Sequence, residues 1–376
     1  MNITSDRFMA MVGERIQTAR KHLELTQKEL SDKLGFKDRQ ILANIEAGQR
    51  KVSTEEMMTL MQVLGKDLGY FTDPYLITAE HAFSWRAQNV PVVLDAYEPT
   101  ARNLVAANRR FADLLNEQAE PIARQLKLSK KNSFEDAANA GDALAKEWNM
   151  GKEDVPAAEL HGLVESKLKY LVLLVDCPSE ISGAACRVPD CDTILINRFE
   201  PAVRQNFDLG HEVFHLLTWD CMPPERVDVR TEDPKKASRV EGMAENFAAG
   251  ILMPTHVLRP RWDGRGNRSL QEWIPATAQE LQVSGKALYW RLRNLGWLTD
   301  GDVMDINIDQ LVVRPGSSQP AHKGRLLYSR VFVTRLHSVL DRGLVSVRKA
   351  AELLNCTVED IADVFHAHGF PVPFDL

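Results

Sequence analysis

The spacing of apolar residues changes several times along the chain, and each change indicates a different kind of element. Between Glu14 and Leu68, apolar positions recur at helical spacing in short runs separated by turn residues. Two of these runs begin with a capping box, at Thr26–Glu29 and Ser53–Glu56. Four short helices joined by tight turns predict a helix-turn-helix bundle.

Further along, the pattern stays helical from Ala79 to about Leu128 and again over Phe134–Trp148. The period then shortens to that of strands, and turn residues such as proline separate the runs. Strands are predicted at 168–176, 183–188 and 192–198, and helices follow at 201–219 and 238–253.

These patterns predict an α+β multidomain protein, and 376 residues are too many for one ordinary core. We expect an all-α helix-turn-helix domain, a small central α+β domain and a C-terminal helical region. The predicted bounds are 1–74 for the first domain, 75–132 for a helical linker region, 133–262 for the central domain and 263–376 for the C-terminal region.

Composition narrows the class of protein. Apolar residues make up 44% and charged residues 26%, which is typical of a globular protein and excludes a disordered one. The formal net charge of -6 means that any DNA-binding site must be local. The five cysteines are odd in number and widely spread, so we expect reduced thiols and a cytoplasmic protein. A redox role for Cys186 and Cys191 is the less favoured interpretation.

The segment His211-Glu212-Val213-Phe214-His215 is an H-E-x-x-H motif on a predicted helix. Residues four apart share one helix face, so His211 and His215 can bind one metal ion. Glu212 is rotated by about 100° and can accept a proton from water at that ion. The alternative is a pair of structural histidines.

A catalytic metal needs a third protein ligand. Six residues beyond His215, where another class of zinc peptidase has a histidine, this chain has Cys221. A second possibility is the helix at 238–253, where Glu241 and Glu245 share one face. Because that helix is otherwise largely apolar, its carboxylates need a partner, and a cation is a suitable one.

The two segments "DLGHEVFHLLTW" and "VEGMAENFAAGILMP" together resemble the ImmA/IrrE family of metallopeptidases. The resemblance covers about residues 135–260. It implies a zincin-like fold, zinc on His211, His215 and Glu241, and Glu212 as the catalytic base of a gluzincin-type endopeptidase. The chain departs from the family at Glu245, where Asn or Asp is more usual; Glu245 is expected to hydrogen-bond a zinc-binding histidine. His256 and Tyr170 are both candidates for stabilising the oxyanion.

The segment from Thr26 to Gly65 resembles an Xre-type helix-turn-helix of the lambda-repressor class. The resemblance implies that the helix at about 38–47 lies in the major groove of an operator. The expected DNA-contacting residues are Gln27, Lys37, Arg39, Gln40, Asn44, Arg50 and Lys51. A homodimer is expected, because half-sites come in pairs. A helix-turn-helix used only for protein contacts is the alternative.

The sequence therefore predicts a DNA-binding transcriptional regulator with a zinc-dependent endopeptidase domain. By resemblance, its substrate is expected to be a repressor-type protein in a stress, phage or mobile-element response. The alternative is a transcription factor whose zincin-like domain is a non-catalytic sensor or dimerisation scaffold. The C-terminal helices are compatible with a dimer, sensor or substrate-docking element, and the pattern does not choose among them.

Overall fold

A computed structural model describes residues 5–77, 83–87, 91–117, 124–188, 191–229, 238–311 and 325–375. Within these ranges the chain is an α+β multidomain protein, as the sequence predicts. None of its described helices combines the length and apolarity needed to span a lipid bilayer.

The N-terminal unit contains five helices around a small apolar core of its own. Both predicted capping boxes are present, and the side chain of Asp38 caps the third helix. The helices are α1 (Ser5–His22), α2 (Gln27–Lys33), α3 (Arg39–Glu46), α4 (Thr54–Leu64) and α5 (Leu68–Thr72). The helix-turn-helix prediction is confirmed, with one more helix than the sequence indicated.

A five-stranded mixed sheet forms the centre of the rest of the chain. Its strands are β1 (Phe83–Ala87), β2 (Leu171–Val175), β3 (Ile181–Val188), β4 (Cys191–Asn197) and β5 (Val227–Val229). The order across the sheet is β2-β4-β3-β1-β5. Pairing is antiparallel for β3 with both β4 and β1, and parallel for β2 with β4 and for β1 with β5.

The prediction of continuous helix from Ala79 to about Leu128 is wrong at both ends. Residues 83–87 form β1, and α6 spans only Pro91–Leu114. The predicted residues 79–82, 88–90 and 118–123 lie outside the described ranges. In β1, Phe83 and Trp85 lie in the core beside α6, while Arg86 lies on the opposite face of the sheet. The strand-like alternation of β1 was therefore present in the sequence but too short to outweigh the helical pattern around it.

One face of the sheet carries the helices from the middle of the chain, which share a single apolar core. They are α7 (Phe134–Glu147), α8 (Pro156–Leu163, continued by a π-helical turn at Val164–Leu168), α9 (Ala202–Thr218), α10 (Arg239–Leu252), α11 (Thr255–Asp263), α12 (Leu270–Glu280), α13 (Gly285–Asn294) and α14 (Asp300–Asp305), with a 3-10 turn at Ile308–Gln310.

The opposite face of the sheet packs against α6 and three C-terminal helices. These are α15 (Arg330–Asp341), α16 (Val347–Leu354) and α17 (Val358–His368). The predicted linker and the end of the chain thus share one core with the sheet. Helices from both sides of the predicted central domain are needed to bury its strands.

We expect Gly250→Ala to destabilise the fold, because α7 and α10 pack closely there. A Cβ atom at Gly250 would lie 2.1 Å from the carbonyl oxygen of Ala138, and backbone cannot move aside easily. Overpacking of this kind lowers the free energy of unfolding by about 1–3 kcal/mol. Chemical denaturation of both proteins measures the change.

The matched control is Gly162→Ala in α8, where no atom lies within 4 Å of the added Cβ. Alanine is favoured over glycine inside a helix by about 0.5–1 kcal/mol, so this variant should be as stable as the parent or slightly more so. Equal unfolding midpoints for the two variants would contradict the close packing of α7 and α10.

Candidate metal centre and DNA-binding surface

The H-E-x-x-H motif lies in the C-terminal half of α9, within its most buried part. The helical repeat brings His211 and His215 onto one face, so their rings stack edge to face with centroids 4.7 Å apart. Glu212 points in a different direction and is 1% exposed. The motif is therefore inside the domain and not on a solvated helix surface.

The third carboxylate comes from α10, which packs against α9. Ser238 caps this helix by accepting a hydrogen bond from the backbone N–H of Glu241. That cap places Glu241 in the first turn, where the positive end of the helix dipole favours a carboxylate. Two locally determined helix features thus direct the ligand groups toward each other.

The three side chains converge on one point. Glu241 Oε2 lies 3.0 Å from His211 Nε2 and 3.2 Å from His215 Nε2, and the two Nε2 atoms are 3.0 Å apart. Ligands about 2.1 Å from one tetrahedral ion lie about 3.4 Å from each other. Among the described residues, these three form the one group of His, Cys, Asp or Glu side chains close enough to hold a metal ion.

The electrostatics of the group suit a cation. Burial, with the charge of Arg86, lowers the pKa of His211 to about 3, so its ring is neutral and can act as a ligand. Burial opposes ionisation of Glu241, but His215 and His211 outweigh it and hold the pKa of the carboxyl well below its usual range. The donor set is therefore a neutral imidazole, a second imidazole and a carboxylate, which fits a zinc-type ion.

Glu212 is set apart from these ligands by its environment. Burial raises the pKa of Glu212 to about 8, although His215 and Arg86 act in the opposite direction. Its Oε1 atom is buried and makes no hydrogen bond to any described residue. A buried polar atom without a partner is rare and commonly indicates an unfilled binding or catalytic role. A nearby dication would stabilise the charged form of this carboxyl.

The second candidate site is the exposed side of the helix-turn-helix unit. Lys37, Arg39 and Gln40 are exposed at the start of α3, and Gln40 Nε2 donates to Asn44 Oδ1 at 3.0 Å. Lys51 is also exposed, beyond the end of α3. These side chains form one accessible stretch on and beside the helix that was expected to enter the major groove.

Two predicted DNA contacts are engaged within the unit instead. Gln27 Nε2 donates to Glu46 Oε2 at 2.9 Å. Arg50 makes an ion pair with Glu56 at 2.8 Å and lies over the ring of Phe36. Either residue would have to exchange these bonds to contact phosphate, so their roles on DNA stay predictions, as do those of the other five.

Comparison with family models gives two matches. Residues 16–71 match the helix-turn-helix family, and residues 180–293 match the family of the IrrE N-terminal-like domain. The chain carries both of these domains. No curated protein and no solved structure matches the chain significantly.

The IrrE N-terminal-like domain contains the whole H-E-x-x-H motif and Glu241. The family supports a metallopeptidase assignment for this domain, as the sequence predicted. The match ends within α13, beyond residue 262, and includes helices that were assigned to the C-terminal region. The predicted domain bounds themselves stay predictions.

Within this domain, the remaining predicted residues lie in varied surroundings. Cys221 is exposed, and its Sγ contacts the carbonyl of Thr218, so it does not join the ligand group. His256 Nε2 bonds to the carbonyl of Met150 at 2.9 Å. Tyr170 is buried, and burial raises the pKa of its hydroxyl. The oxyanion role considered for His256 and Tyr170 stays a prediction.

Sequence reasoning missed Arg86, a buried residue of β1 outside both family matches. Its Nε lies 3.2 Å from Asp208 Oδ1 on α9, and its Nη2 lies 3.7 Å from Glu245 Oε1 on α10. The described contact of Glu245 is thus with Arg86, and its expected bond to a zinc histidine stays a prediction. A charged residue on the buried face of an alternating strand is the signal that points to Arg86.

Proposed function

We propose that the protein is a cytoplasmic DNA-binding transcriptional regulator with a zinc-dependent endopeptidase domain. Its substrate would be a repressor-type protein, in a stress, phage or mobile-element response. The observation that carries this proposal is the convergence of His211, His215 and Glu241 beside the buried Glu212. The presence of a helix-turn-helix domain in the same chain supports the regulatory role.

His211, His215 and Glu241 would hold the zinc ion, which supplies Lewis-acid polarisation of water and of the peptide carbonyl. Glu212 would accept a proton from the attacking water and return it to the leaving amine. A general base works best when its pKa lies near the ambient pH, and burial brings the pKa of Glu212 to about 8. The apolar surroundings of α9 would keep other water away from the reacting groups.

Mixing the purified full-length protein and zinc with candidate repressors from neighbouring genes tests the peptidase proposal. Limited cleavage at a defined bond, identified by mass spectrometry and stopped by a zinc chelator, is the expected result. DNA binding without any cleavage would instead favour the alternative, a transcription factor with a non-catalytic sensor or scaffold domain.

We expect Arg39→Ala to weaken operator binding, because Arg39 is exposed at the start of α3. Loss of a base-contacting arginine costs about 1–3 kcal/mol, or about 5- to 150-fold in affinity. Fluorescence anisotropy with DNA from upstream of the gene measures the change, and analytical ultracentrifugation tests the proposed homodimer.

The charge-matched control is Arg348→Ala on α16, which removes an exposed arginine outside the helix-turn-helix domain. It should change DNA affinity by less than about twofold, because surface charges far from the contact act weakly through salt. Equal affinities for the two variants would contradict the assignment of α3 as the DNA-reading helix.

A further inference from the structure

Arg86 connects the three elements around the proposed metal centre. It lies on β1, which is paired on both sides, with β3 and with β5. The guanidinium reaches Asp208 on α9 at 3.2 Å and faces Glu245 on α10 at 3.7 Å. Because β1 has neighbours on both sides, its backbone is a fixed support for this side chain.

The partners of Arg86 lie next to the ligands in the helical repeat. Asp208 is three residues before His211, and Glu245 is four residues after Glu241. Residues at these spacings lie on the same side of a helix. The contacts of Arg86 therefore act on the turns of α9 and α10 that adjoin the metal ligands.

The burial of the pair makes it a stiff connection. Arg86 is 5% exposed and Asp208 is 1% exposed. Burial raises the pKa of Asp208, and the charge of Arg86 opposes that rise. An arginine has a planar fork of donors and can contact two carboxylates in fixed directions, which a lysine cannot do.

We propose that Arg86 is a positioning residue of the metal centre, which holds α9 and α10 in register against β1 so that His211, His215 and Glu241 converge. It acts through Asp208 and Glu245, neither of which is a proposed ligand. The role rests on the proposed function, and it places an essential part of the centre in the segment before the IrrE N-terminal-like match.

Binding of Zn²⁺ and Co²⁺ by the full-length protein tests this role without any peptidase substrate. Arg86→Met is expected to weaken zinc affinity about 10- to 100-fold, the range found when residues that orient metal ligands are replaced. Competition with a chromophoric chelator measures the affinity. The visible spectrum of bound Co²⁺ should also change, because it reports the ligand geometry.

Arg291→Met is the matched control. Arg291 is also a buried arginine in an ion pair, at 2.8 Å from Asp142, but it connects α13 with α7. Both variants should unfold at a lower denaturant concentration, whereas only Arg86→Met should alter zinc affinity and the Co²⁺ spectrum. Unchanged metal binding by Arg86→Met would overturn the positioning role.

Two further variants separate positioning from folding. Arg86→Lys keeps the buried charge and should fold, yet its metal affinity should still fall; a wild-type affinity would overturn the proposal. Replacing Asp208 with Asn in the Arg86→Met background removes the uncompensated charge, so folding should recover while zinc affinity stays low. Recovery of both would show that Arg86 only balances charge.

The same measurements distinguish this role from the proposed function. A wild-type protein that binds neither Zn²⁺ nor Co²⁺ would overturn the metal centre and the role of Arg86 together. Normal metal binding by wild type and by Arg86→Met would overturn the role of Arg86 alone. Whether the wild type cleaves a repressor does not enter either comparison.

Discussion

Glu212→Gln is expected to abolish peptide-bond cleavage while zinc stays bound. Glutamine has nearly the same shape but cannot accept the proton of the attacking water, and general base catalysis contributes about 10²- to 10⁴-fold. Glu212 is not one of the three converging ligands, so the metal content should stay unchanged. Cleavage rates on the repressor substrate and elemental analysis measure the two quantities.

The control for this variant is Glu272→Gln, which makes the same replacement at an exposed position of α12. It should cleave at the parental rate. If Glu212→Gln cleaved as fast as the control, Glu212 would not be the base. If it lost zinc as well as activity, the carboxylate would belong to the ligand set.

The second large effect is expected from zinc itself. Zinc binds the folded centre and not the dispersed ligands of the unfolded chain, so it stabilises the native state. At a free zinc concentration about 1,000 times its dissociation constant, the gain is about 4 kcal/mol. The melting temperature should rise with added zinc and fall after chelation, and His215→Ala should lose this response.

His256→Ala provides the comparison, because it removes a histidine of the same domain that bonds to a carbonyl and lies outside the ligand group. Its zinc-induced rise should equal that of the parent, even if its baseline stability is lower. A full zinc response in His215→Ala would exclude His215 from the metal site. The comparison uses the shift and not the absolute melting temperature, because truncation of a buried ring is destabilising by itself.

Several elements were predicted correctly because their signals are local. The capping boxes at Thr26 and Ser53, and the helices and strands from Phe134 to Leu252, appear close to their predicted bounds. Each depends on residues within a few positions of one another. The pairing of His211 with His215 is equally local, because one helical turn brings them together.

The sequence by itself determined the two domain types, the H-E-x-x-H face and the choice of Glu241 as the third carboxylate. Only the tertiary structure decided that β1 enters the sheet beside β3 and that Arg86 reaches Asp208 and Glu245. The reason is physical. A five-residue strand has little preference of its own, and its position depends on partners almost 100 residues or more away in the chain. Short-range patterns cannot carry that information, whereas packing of the whole domain does.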